Sequence, residues 1–120
     1  MISARAETTG QSSDTHGYVS GGWASGSGAT VGTNIIEKFP FSSDANSADV
    51  GDLTINSGNS RAGASSTASG YTSGGTGGPP SGPSQQRIRV IDKFPFSSDT
   101  NASDVGDLTK DRREQAGQQV

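Results

Sequence analysis

The sequence predicts an all-β protein made of two tandem copies of one unit, followed by the opening strand of a third. Two observations carry the prediction. Ile36 to Thr54 returns as Ile91 to Thr109, identical at fifteen of nineteen positions. The exceptions are Glu37/Asp92, Ala45/Thr100, Ser47/Ala102 and Ala48/Ser103. The chain is also rich in glycine, with 18 residues, and its short apolar segments alternate as strands do. The units run 1–54 and 55–109, and the third opens over 110–120.

Taken in order, Met1 to Ser13 contains Thr8-Thr9 and reads as a short strand. His16 to Trp23 holds the strand formers Tyr18 and Val19, stopped by Gly21-Gly22. Ala24 to Thr33 is Gly/Ser-rich and is expected to be an exposed loop. Asn34 to Phe41 is the clearest strand of the first half, with Ile35, Glu37, Phe39 and Phe41 on one face. Pro40 lacks an N–H and belongs at a strand end or on an edge. Ser42 to Asp52 is dense in Ser, Asn, Asp and Gly and reads as turns, after which Leu53 and Ile55 begin another short strand.

The cycle then restarts. Gly70-Tyr71-Thr72-Ser73-Gly74-Gly75 matches Gly17-Tyr18-Val19-Ser20-Gly21-Gly22 at an offset of 53. The strand blocks match at 55, so two residues have entered between them, in the loop Thr76 to Gln86. Arg87 to Phe96 is the second strong strand. Arg112, Glu114, Gly117 and Gln118 repeat Arg5, Glu7, Gly10 and Gln11 at an offset of 107, whereas Arg61 falls out of phase. Lys110 to Gln119 lacks an apolar stripe at helical spacing; a frayed helix there is the minor alternative to a strand.

Composition limits what such units can do alone. Only 28% of the residues are hydrophobic and 6% aromatic. A lone unit of this make-up buries too little surface to offset chain entropy, so stability must come from stacked repeats, other subunits or a longer chain. Net charge is −3, which argues against a nucleic-acid partner. There is no cysteine, hence no disulfide or thiolate chemistry. Apolar runs of two or three residues do not suit a membrane span, and Met1 to Gly10 has no apolar core of a secretory signal.

The unit order resembles a kelch-type β-propeller blade: a Gly-Tyr-x-x-Gly-Gly strand, a variable loop, an aromatic strand, and an Asx-rich turn leading to leucine. The matching residues are Tyr18, Gly21, Gly22, Phe39, Phe41, Asn46 and Leu53, and again Tyr71, Gly74, Gly75, Phe94, Phe96, Asn101 and Leu108. Arg5 and Arg112 stand where a blade opens. The short hydrophobic run before Gly-Gly and the Asp-Val-Gly-Asp in place of a tryptophan make it a divergent member. The Phe-Pro-Phe-Ser-Ser-Asp repeat is similar to those of propeller-like proteins of marine phages and aquatic bacteria. The resemblance implies a propeller, with Tyr18, Ile36, Phe39, Phe41, Leu53 and their second copies expected to build the blade cores. Two blades cannot close a ring of the usual four to eight, so several copies assemble or the chain belongs to a longer array. Three copies make six blades, with Asp111 to Val120 covering a neighbour's open edge. A fibrous β-trimer is the structural rival.

Few residues carry chemistry. His16 is the single histidine, and Ser69 stands in its place in the second unit. Asp44, Asn46, Asp49 and Asp52, repeated as Asp99, Asn101, Asp104 and Asp107, offer oxygens of the kind Ca²⁺ takes. Their spacing is not that of an EF-hand, and capping of tight turns explains them better. The Gly-Gly pairs lack the Lys-Ser/Thr of a phosphate loop. Trp23 is expected to pack on a loop rather than on a sugar. No catalytic, cofactor-binding or metal residue is therefore assigned. The expectation is a non-enzymatic structural or interaction module, a homo-oligomer or part of a longer array, binding a protein or glycan through 24–33 and 76–86. A virion or extracellular setting suits the composition. The rivals are a carbohydrate-binding or carbohydrate-active propeller fragment and an unfolded low-complexity tail.

Overall fold

A computed structural model describes residues 4–26, 29–58, 60–77, 86–112, 114, 116 and 117, with the backbone alone described at 25, 26, 29–31 and 57. Within them the protein is all-β, and the first sheet is curled. The strands are β1 (Arg5–Ala6), β2 (Thr9–Ser12), β3 (His16–Ser20), β4 (Trp23–Gly26), β5 (Ala29–Pro40) and β6 (Ala48–Ser57), then β7 (Ala62–Ser65), β8 (Ser69–Ser73), β9 (Thr76–Gly77), β10 (Gln86–Arg87), β11 (Val90–Pro95) and β12 (Ser103–Asp107).

Each unit is an antiparallel four-stranded meander. In the first, β2 pairs β3, β3 pairs β5 and β5 pairs β6. In the second, β7, β8, β11 and β12 follow in the same order. Tyr18 lies opposite Lys38 as Tyr71 lies opposite Lys93, so the repeat in sequence is a repeat in register.

Two expectations change. The described residues of the Gly/Ser stretch 24–33 are strand, β4 pairing antiparallel with the start of β5, while residues 27 and 28 lie outside the described residues. Residues 78–85 of the second loop lie outside the described residues; its flanks form the β9–β10 hairpin. The Asx-rich segment is also shorter than expected. Its second half, from Ala48, is already strand, and Asp-Val-Gly-Asp is a β-bulge. Ile36 faces Gly51 and Glu37 faces Asp49, leaving Val50 as the extra residue; Ile91, Gly106, Asp92 and Asp104 repeat this around Val105. Gly51 at φ 154° and Gly106 at φ 150° provide the backbone conformation the bulge requires.

The core sits between the two meanders. Tyr18, Ile36 and Leu53 of the first unit meet Phe94 of the second, with Val50, Phe96 and Ala102 packed around them. Neither unit owns this core, as the low apolar content required. Phe94 lies over Gly70 and Phe39 over Gly17, where any side chain would collide with the ring. Phe39 and Phe41 were expected in the core; Phe41 is 56% exposed because its face has no neighbouring unit to meet.

No helix forms among the described residues, and residues 110–112, 114, 116 and 117 are irregular. Glu114 nevertheless repeats a detail of the earlier openings. Glu7, Ser60 and Glu114 have φ of 55°, 61° and 59°, at matching places in the openings of the three units. Glu114 N–H donates to Ser60 O at 3.2 Å, and Gly75 N–H to Arg112 O at 2.7 Å.

Candidate functional site

Of the residues that the sequence singled out, Asp52, Asp99 and Asn101 meet at the seam between the units, where Tyr18, Phe94 and Phe96 also pack. At its centre the Tyr18 ring stacks on Phe96, centroids 4.8 Å apart, and tilts against Phe94 at 5.5 Å. Burial raises the Tyr18 phenol above its ordinary range, while Lys38 and a Ser13 hydrogen bond pull the other way. At the outer end, Lys38 Nζ meets Asp99 at 2.5 Å, Asp52 N–H donates to Asn101 Oδ1 at 3.0 Å, and Ala102 N–H to Asp52 O at 2.8 Å. The Thr100 carbonyl presses on Gly51, 2.5 Å from where a Cβ would stand. At the inner end, Ser12 N–H donates to Ser65 Oγ at 3.0 Å and Gln11 Nε2 to Tyr71 O at 3.3 Å. Gly63 packs there on the Gly10 carbonyl, and Gly117 on the Gly63 carbonyl.

Each unit also carries one buried ion pair. Arg5 binds Glu37 together with the carbonyls of Gly21 (2.9 Å) and Ile35 (3.2 Å). Arg61 binds Asp92 at 3.0 Å and the Val90 carbonyl at 3.4 Å. Ile35 and Val90 are equivalent, as are Glu37 and Asp92. Arg61 is therefore not out of phase in function: it fills the Arg5 role from three positions further along, because a guanidinium is long enough to cover the difference. Burial lowers Arg61 from its ordinary range and Asp92 opposes this. Each carboxylate has a second donor: Ser47 Oγ to Glu37 at 2.6 Å, and Thr54 Oγ1, across the seam, to Asp92. Sequence reasoning missed these acids as buried groups. The signal was an acid at an inward-facing strand position, preserved as Glu or Asp in both copies.

The Asx residues serve the backbone and the seam. Asp49 Oδ1 accepts from Gly51 N–H at 3.2 Å and Asp104 Oδ1 from Gly106 N–H at 3.0 Å, holding the bulges. Asn101 and Asp99 bind the first unit, and Asp107 meets Arg89 at 3.4 Å on the surface. Among the described residues no three His, Asp or Glu side chains gather as a metal cluster. His16 Nδ1 lies 2.8 Å from Thr15 Oγ1, and Trp23 lies over Gly58. What this arrangement does is join the two units of the chain.

A scan against models of known protein families finds no match, and a search of curated proteins finds none.

Proposed function

We propose that this protein is a non-enzymatic scaffold module whose two units are divergent kelch-like propeller blades, working as part of a larger assembly. The observation that carries the reading is the shared core: Tyr18, Ile36 and Leu53 of one unit close on Phe94 of the next. A module whose units stabilise one another by stacking is an extensible scaffold. The antiparallel meander of each unit and the close Gly10–Gly63 approach of the first strands suit wedge-shaped blades around an axis. The seam residues recur in both units, as a scaffold requires, while the segments 24–33 and 76–86 differ and are the surface for a protein or glycan partner.

The test is hydrogen exchange on Phe94→Ala. Removing the ring should lower protection in β5 and β6 of the first unit together with β8 and β11 of the second. Loss confined to the second unit would show two independent domains and end the scaffold reading.

A further inference from the structure

We propose that a second copy of this chain docks head to tail, seating its Phe39–Phe41 edge on the Tyr71, Ile91 and Val105 face of the first. The proposal rests on the scaffold reading and specifies its partner and its surface.

The seam inside the chain is the template, and each of its halves recurs unpartnered at one end. Phe39 and Phe41 stand 6.0 Å apart at 75°, the same geometry as Phe94 and Phe96, which are packed on Tyr18. The edge is thus already shaped for a tyrosine. At the other end, Val105 is 51% exposed where its counterpart Val50 packs on the core. Gly106 holds the same backbone conformation as Gly51, yet nothing lies within 4 Å of it, whereas Gly51 carries the Thr100 carbonyl. The space that a neighbour's turn fills at Gly51 is open at Gly106.

The polar groups match as well. Lys93 and Asp44 of the incoming copy correspond to Lys38 and Asp99, which pair across the seam. Asp107 and Asn46 of the incoming copy correspond to Asp52 and Asn101, whose backbone and side chain bond at 3.0 Å. The two faces differ, so the contact is heterologous, and repetition gives a ring or a filament. A second copy is the occupant because the surface it must present is the one the chain already presents to itself.

One segment competes. Arg112 and Glu114 bond to Gly75 and Ser60, and Gly117 packs on Gly63 as Gly63 packs on Gly10. The chain's own end thereby holds the innermost position of the receiving face. The incoming copy must place its residues 5–12 there, and Arg5, Glu7 and Gly10 repeat Arg112, Glu114 and Gly117.

The experiment is sedimentation velocity between about 1 and 100 μM, the range of weak to moderate association, with two surface variants. Val105→Arg spoils one face and Phe41→Arg the other. Each alone should be monomeric with an unchanged circular dichroism spectrum and melt. Mixed, they should form a one-to-one heterodimer and nothing larger, since one intact face of each kind remains. Truncation after Lys110 should shift association of the otherwise natural chain to lower concentration. A natural chain that stays monomeric, variants that still assemble, a mixture that fails to pair, or truncation that weakens association would each overturn the docking. None of these outcomes bears on the protection pattern of Phe94→Ala, so the scaffold reading stands or falls separately.

Discussion

The Tyr18 ring of the first unit lies nearly parallel to Phe96 of the second, at 24° and 4.8 Å between centroids. Its phenol is raised by burial, so the folded state holds that proton more tightly than the unfolded chain does. The stabilisation is complete below the ordinary tyrosine value of about 10 and is lost as pH rises through the raised value. Urea midpoints measured from pH 8 to 11 should fall above about pH 10, and Tyr18→Phe should flatten that fall. An equal fall in the variant would assign the alkaline sensitivity to other groups.

Arg61 and Asp92 are both buried, and each is the other's charge partner. Removing one leaves the other stranded, so Arg61→Ala should cost about 3–5 kcal/mol. The double change Arg61→Met with Asp92→Leu removes both charges at similar volume and should recover most of that loss. Chemical denaturation of the two variants checks this; equal loss in both would mean that the ion pair itself, not the stranded charge, carries the stability.

Thr72 is wholly buried, and among the described residues its Oγ1 has no hydrogen-bond partner. Val19 stands at the matching place in the first unit. Thr72→Val keeps the shape and removes the orphan hydroxyl, and should stabilise the protein by about 1 kcal/mol. Differential scanning calorimetry would show the melting temperature rising; a lowered one would show that the hydroxyl is satisfied in solution.

Ser60 holds φ 61°, a conformation that side chains resist. Ser60→Gly should relax it and add about 1 kcal/mol, net of the entropy glycine gains in the unfolded chain. The same change at Thr67, an exposed residue without positive φ, is the control and should not stabilise.

The strands were legible because Gly-Tyr-x-x-Gly-Gly and the Phe-x-Phe pair mark alternation and stops directly in the sequence. The shared core was legible only as a need: so few apolar residues had to be pooled. Its ionic part was legible only on the acid side, as an inward-facing Glu or Asp in both copies; the arginines that pair with them stand 32 and 31 residues away, a separation that no local pattern encodes. The strand pairing within 24–33 was hidden by composition, since Gly and Ser pair through backbone alone. Phe41 was misplaced for a different reason: its sequence matches Phe96, but burial depends on a neighbour that only Phe96 has.

The near identity of β5 and β11 has a cost while the chain is folding. A nascent β3 meets two candidate partners of closely similar sequence, since residues 35–40 of β5 and 90–95 of β11 match at four of six positions. Over the aligned residues 35–40 and 90–95 they differ only at Ile35/Val90 and Glu37/Asp92, each by one methylene group, and only the second pair carries a charge. Arg5 lies in β1, ahead of β2, and meets the longer acid, Glu37; Arg61 stands immediately before β7 and meets the shorter one, Asp92. Exchange the strands and each arginine faces an acid of the wrong reach, in a place from which water is excluded. The conservative-looking Glu/Asp difference is therefore expected to disfavour strand exchange in a chain whose halves are so alike.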